Sequence, residues 1–246
     1  MIEIKMLEEK NLKDYTLIEG FPGAGLVGPM TISYIIDKLQ MKYVGFVESA
    51  SFPPLVSIHK GEPVPPIRLY CSDKNKIVTI FAEFAITMDM VAELSKAVYD
   101  FVRANGIVAI YSIGGVPKQD DNEKSPFVVA STLQATKVAQ NAGLKPIDEG
   151  VATGVSALLL LRASMDKVDD TNIMVPVQQN IIDPLYAEVA VQSINKLMNL
   201  NIDVTELDKE AKMVEAKIKD LINKHKETLE SHKKEVDDST GPSMYA

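Results

Sequence analysis

Nine residues, Gly20-Phe21-Pro22-Gly23-Ala24-Gly25-Leu26-Val27-Gly28, constrain the fold of this chain more than any other stretch. An apolar run, Tyr15 to Ile18, leads into them. A helical run, Leu26 to Leu39, leads out, with Ile32, Ile35, Ile36 and Leu39 on one face. This punctuation predicts a strand, a tight glycine turn and a helix. The spacing Gly23-x-Gly25-x-x-Gly28 also matches the dinucleotide-binding fingerprint. A second apolar run, Tyr43 to Val47, ends in Glu48, where such a fold keeps its ribose-binding acid. Two prolines argue against that use. A dinucleotide fold runs its strand straight into the first glycine, so that the pyrophosphate meets a helix N-terminus. Here Gly20-Phe21-Pro22 intervenes, and Pro22 interrupts the ladder. Pro29 follows Gly28 at the position where a triphosphate-binding loop requires lysine. The favoured reading is a structural turn in which Gly20, Gly23, Gly25 and Gly28 let strand and helix pack closely. A nucleotide- or nucleoside-binding enzyme using the Gly23–Gly28 turn is the alternative.

The rest of the chain repeats the same grammar. Ile2, Ile4 and Met6 alternate as in a half-buried strand. Phe52-Pro53-Pro54 forces an extended loop, because each proline removes a donor and restricts its predecessor. Leu55 to Lys60 and Ile67 to Cys71, joined by a Gly61-Glu62-Pro63 turn, read as a hairpin. Further strands are expected at Lys76–Phe84, Ile107–Ile113, Phe127–Thr132 and Ile173–Val177, with Gly114-Gly115-Val116-Pro117 as a loop at a strand's carboxyl end. Helices are expected at Met88–Ala104, Leu133–Asn141, Val155–Met165 and from Asp183-Pro184 to Asn199. Asp183 stands where an N-cap belongs and Pro184 at the first helical position. Strands alternating with helices predict a three-layer α/β domain over residues 1–203, its sheet mostly parallel with helices on both faces.

From residue 204 the pattern changes. Leu207, Ala211, Val214, Ile218 and Leu221 are spaced four, three, four, three, the seam of a coiled coil or bundle. A long C-terminal helix over 204–236 is therefore expected to help hold a homo-oligomer. An amphipathic helix packed on its own domain has the same spacing. Residues 237–246 have the composition of a flexible tail.

Composition narrows the chemistry. A net charge of −8 disfavours nucleic acid, which needs a basic surface. The longest aliphatic run, Leu158 to Leu161, is far short of the ~20 residues of a membrane span. A single cysteine, Cys71, fits a reducing cytoplasm. Gly154-Val155-Ser156-Ala157-Leu158 approaches a hydrolase elbow but lacks its last glycine. His225 and His232 stand seven apart, not the three or four that would pair two metal ligands on a helix. His59 reads as a strand residue near a turn, and Asp120, Asp121 and Glu123 as an acidic turn. No catalytic constellation, metal site or cofactor is expected.

Several of these stretches, in this order, resemble the proteasome assembly chaperone family in its archaeal branch. They are Gly20 to Gly28, Phe52-Pro53-Pro54, Ile110 to Pro117, Gly150 to Gly154, Asp183-Pro184, and the closing Asp203, Leu207 and Ala211. The resemblance implies a fold similar to nucleoside phosphorylases without their catalytic residues. It implies a cytoplasmic, nucleotide-independent homo-oligomer that binds the α-subunits of the proteasome core particle. The family docks through a C-terminal hydrophobic residue, a tyrosine and any last residue, and Met244, Tyr245 and Ala246 fill those positions. A purely structural self-assembling protein is the third class of reading that the heptad pattern leaves open.

Overall fold

The computed structural model describes residues 1–207, apart from 60, 119, 121–124 and 179–180. The chain opens with β1 (Glu3–Met6) and β2 (Thr16–Gly20), and passes a 3-10 turn, Ala24–Leu26, into α1 (Val27–Lys38). Next come β3 (Lys42–Glu48), the short β4 (Ser57–His59) and β5 (Glu62–Val64), β6 (Ile67–Ser72) and β7 (Ile77–Ala82). Then α2 (Met88–Ala104) leads to β8 (Ala109–Pro117), β9 (Phe127–Ala130) and α3 (Leu133–Asn141). The described residues close with β10 (Lys145–Pro146), α4 (Gly154–Asp166), β11 (Asp169–Val177) and α5 (Pro184–Met198).

Local chemistry sets several of these boundaries. Asp183 Oδ1 accepts the Leu185 N–H at 2.9 Å and Pro184 opens α5, which stops at Asn199 with φ 51°. Thr132 Oγ1 accepts from Ala135 N at the start of α3. Gly143 ends that helix at φ +76°, donating to Gln140 O. On α2, Val91, Leu94, Val98 and Val102 recur at helical spacing and are buried.

Among the described residues nine strands form one sheet, ordered β1-β3-β6-β7-β2-β8-β11-β9-β10. The four central strands β7, β2, β8 and β11 run parallel. The β1-β3-β6-β7 flank is antiparallel, and β9 pairs antiparallel with β11. One face, with Leu17, Val78, Ile80 and Ile110, packs under α2 and α4. The other, with Ile18, Ile77, Phe81, Ile113 and Ile173, packs under α1, α3 and α5. Burial on both faces makes the central strands apolar runs, as the three-layer expectation required.

Three details differ from the sequence reading. The hairpin is β4 with β5, so its return strand begins at Glu62, inside the stretch read as the turn, while Ile67–Ser72 joins the main sheet. β8 continues through Gly114-Gly115 to Pro117 because β11 pairs with it to Val177. β11 starts at Asp169, not Ile173, since Asp169–Asn172 are already in register with Ala109–Ser112. Charged and amide residues hid that strand's first half.

Candidate functional site

The glycine turn is a backbone junction. A Cβ on Gly20 would lie 2.6 Å from Gly28 O and from an Ile32 side-chain carbon, and one on Gly28 would lie 2.8 Å from Ile113 O. Gly25 sits at φ +65°, with Val177 2.9 Å from its hypothetical Cβ and Tyr186 close behind. Gly115 matters as much: its Cβ would reach within 2.1 Å of Ala24 O. Strands β2 and β8 and the start of α1 therefore meet main chain to main chain. Gly23 is different, extended at φ −152° with nothing within 4 Å of its Cβ position. The first turn of α1, Val27 to Thr31, is entirely buried. A pyrophosphate site needs the opposite, helix N–H groups open to a ligand. Glu48, the expected ribose acid, lies on β3, three strands from β2, where Lys5 Nζ stands 3.4 Å from it.

Beneath α2 and α4 the structure assembles a polar layer that sequence reasoning missed. Glu19 on β2 is in register with Ser112 on β8, which is in register with Asn172 on β11, and Asp170 precedes Asn172 on the same face. Glu19 and Asp170 are both 0% exposed. Among the described residues Glu19 Oε1, Ser112 Oγ, both Asp170 carboxyl oxygens and Asn172 Oδ1 have no hydrogen-bond partner. Burial pushes the Glu19 carboxyl up, against the opposing pull of Ser156, Ser112 and the Phe21 N–H. Asp170 is pushed well above the usual carboxylate range, by burial first and by Glu19 second. Ser156, noted for its near-elbow sequence, lies in the first turn of α4 against Glu19 rather than beside a histidine. The one legible signal was an acid, Glu19, set between the apolar run Tyr15–Ile18 and Gly20.

A second buried cluster ties the hairpin to the sheet. Arg68 (1% exposed) forks onto Glu83 (4%), with Nη1 3.0 Å from Oε2 and Nη2 3.0 Å from Oε1. His59 Nε2, on β4, lies 2.9 Å from Glu83 Oε1 and 2.7 Å from Arg68 Nη2. Arg68 also donates to Pro65 O and Tyr70 Oη, and stands over the Phe81 ring. Burial alone would raise Glu83, but hydrogen bonds from His59 and Arg68 and the Arg68 charge outweigh it and bring it down to about 2. The same cluster leaves Arg68 firmly protonated. An apolar groove of about 540 Å³ lies beside the hairpin, between Phe46 on β3 and Phe52-Pro53-Pro54-Leu55.

Cys71 is buried and its thiol pushed up to about 12, by burial first and then by its hydrogen bond to Asp73; such a thiol is a poor nucleophile at neutral pH. Among the described residues no group of three or more His, Cys, Asp or Glu is placed to hold a metal ion, and no helix is long and apolar enough to cross a membrane. Of the expected seam, Leu207 is 1% exposed in the core under α1 and α5. Tyr34 Oη donates to Asp203 O and Lys38 pairs with Glu206, so the chain is fastened to α1 just before it. Ala211, Val214, Ile218 and Leu221 lie outside the described residues, as do His225, His232 and the terminal Met244, Tyr245 and Ala246.

The sequence profile of the PAC2 family matches residues 17–222. An uncharacterized protein of Methanocaldococcus jannaschii, MJ0106, is 27% identical over 219 residues, 89% of this chain and 90% of that one. Among solved structures, Pyrococcus furiosus PbaA, described as an archaeal homolog of proteasome-assembly chaperone, superposes with a TM-score of 0.81 at 25% identity. That match covers 93% of this chain and 99% of PbaA. Pyrococcus furiosus PbaB, described as an archaeal proteasome activator, shares the fold at TM-score 0.74 and 20% identity, over 89% of this chain and 98% of its own.

Proposed function

The chain belongs to the PAC2 family, and from that premise we propose that it is a non-enzymatic chaperone or activator of the proteasome core particle, working in the cytoplasm. The observation that carries this reading is the likeness to PbaA, which spans nearly the full length of both chains. In this reading the α/β domain is the body, the heptad-patterned stretch joins copies of the chain, and Met244-Tyr245-Ala246 docks on the α-ring without nucleotide. The tripeptide offers an apolar side chain, a ring with a hydroxyl, and a carboxylate, the chemistry taken by pockets that capture C-terminal carboxylates. Several such tails on one oligomer bind a ring by avidity even when each is weak. The interior of the domain is consistent with a body that does no chemistry. Its acids under α4 are sealed from solvent, and its histidine at β4 is engaged by Arg68 and Glu83.

A pull-down of proteasome α-subunits tests the reading. The intact chain is expected to retain them. Tyr245→Ala, and a variant with one residue added after Ala246, are expected to lose them with thermal stability unchanged. Undiminished capture by both variants removes the tail from the mechanism. Failure of the intact chain to capture any α-subunit overturns the function.

A further inference from the structure

Two carboxyls have been carried into the layer beneath α4 with no cation to meet them. Leaving both carboxylates ionised side by side in a medium of low dielectric costs far more than one domain can supply, so at least one of them has to be neutralised. Among the described residues neither Glu19 nor Asp170 has a basic partner. The surrounding elements offer none. The inward side of α2 presents Ser95 and Tyr99, and the Tyr99 hydroxyl donates to Asp166 Oδ2 at 2.8 Å, not to Asp170. Arg103 acts on Tyr99 from the exposed end of α2. Helix α4 contributes Ser156, with Asp166 at its far end, and Ser131 beside β9 spends its hydroxyl on Val168 O and the Asp170 backbone N–H.

A hard divalent cation is the other way to neutralise two carboxylates, but it asks for six or more oxygens around one point. Here the layer brings only two carboxylates, the rest of its unpartnered oxygens being Ser112, Asn172 and Ser95, and among the described residues no group of three or more His, Cys, Asp or Glu is placed to hold a metal ion. A proton is the smaller requirement. The two acids are not equivalent as its holder. Glu19 accepts the Phe21 N–H at 3.3 Å and lies against Ser156 in the first turn of α4, the end at which a helix dipole favours negative charge. Neither Asp170 oxygen has a donor in hydrogen-bonding geometry, and the nearby Ser112 hydroxyl and Thr171 N–H do not offset its burial beside Glu19.

We propose that Asp170 is held as a neutral carboxylic acid in the folded protein at neutral pH, so that folding of the α/β domain is linked to the binding of one proton beneath α4. The sign follows from a carboxyl whose affinity for its proton is raised on folding. Its stabilising contribution is fully present below about pH 3.9, the value of an ordinary aspartate, and is lost as pH rises through the folded-state value. Over that window the folding equilibrium constant falls about tenfold per pH unit relative to a variant without the acid. Asp170→Asn supplies that reference, since an amide matches the shape of the neutral acid and cannot ionise.

Denaturant unfolding of the full chain and of Asp170→Asn, from pH 4 to pH 9, is expected to show the ratio of their folding constants falling with pH in this way. Infrared spectra of the unmodified chain at neutral pH are expected to show the carbonyl stretch of a protonated carboxylic acid, displaced by carbon-13 labelling of aspartate. The labelling reads the proton directly even if Asp170→Asn fails to fold. The inference is overturned by a pH-independent ratio, by absence of the band at neutral pH, or by a band that moves with labelled glutamate instead. A stoichiometric divalent ion whose chelation lowers Tm also overturns it.

Discussion

At the scale of single residues, the glycines of the junction divide: Gly20, Gly28 and Gly115 stand against main chain, Gly25 against side chains, and Gly23 against nothing within 4 Å. Gly115 and Gly28 have carbonyl oxygens of Ala24 and Ile113 where a methyl group would stand. Gly115→Ala and Gly28→Ala are each expected to destabilise by about 1–3 kcal/mol or more, because backbone cannot step aside as a side chain can. That corresponds to a Tm drop of about 2–4 °C per kcal/mol in a chain of this size. Gly23→Ala, extended and open, is expected to stay within about 0.5 kcal/mol of the parent. Thermal unfolding of the three variants checks the division, and a loss at Gly23 equal to the others would contradict it. The fingerprint spacing made Gly23 and Gly28 look alike, and Gly115 read as part of a loop. What separates them is the neighbour across the junction, Ile113 or Ala24, which no local pattern names.

At the scale of elements, the β4–β5 hairpin depends on a charged anchor rather than on a core of its own. Removing Arg68 would leave the Glu83 carboxylate buried without its charge partner. Arg68→Ala is therefore expected to cost about 3–5 kcal/mol and to speed amide exchange across residues 57–64 more than in β2 or β8. Glu83 also gives the hairpin an acid limit. Its folded-state value, about 2, lies below that of a free glutamate, so its contribution is present above about pH 4.3 and is lost as pH falls toward 2. The size of that contribution is on the order of 3 kcal/mol. Stability against pH, measured for Glu83→Gln, should lack this acid limb, and an unchanged limb would assign the loss to other groups. Turn chemistry announced a hairpin near Gly61 from the sequence. Its return strand was misplaced because Glu62 and Pro63 read as part of the turn, whereas β5 belongs to a two-stranded pair outside the main sheet that tolerates a proline.

At the scale of the whole molecule, the start of the heptad pattern is already committed to the domain. Leu207 is buried against the α1 and α5 core, so Leu207→Asp is expected to lower Tm of the domain itself. Val214 and Ile218 sit in the proposed seam between copies. Their joint replacement by aspartate is expected to reduce the particle mass seen by light scattering while the domain keeps its Tm. An unchanged mass would move the contact between copies onto the α/β domain.

The sequence by itself determined the alternation of strands and helices, the glycine junction, the span of α2 and the Asp183-Pro184 start of α5. Each is a local matter of hydrophobic period, capping or main-chain freedom, and a few consecutive residues suffice to express it. It also carried the order of motifs that resembles the proteasome assembly chaperones. Only the tertiary structure decided that Glu19 and Asp170, 151 positions apart, share one sealed layer, and that Arg68 closes on Glu83 and His59. It also decided that Gly114 and Gly115 lie within a strand. These depend on which strands become neighbours. Burial, pairing and the proton affinity of an acid belong to the space between elements, and that space exists only once the sheet has formed.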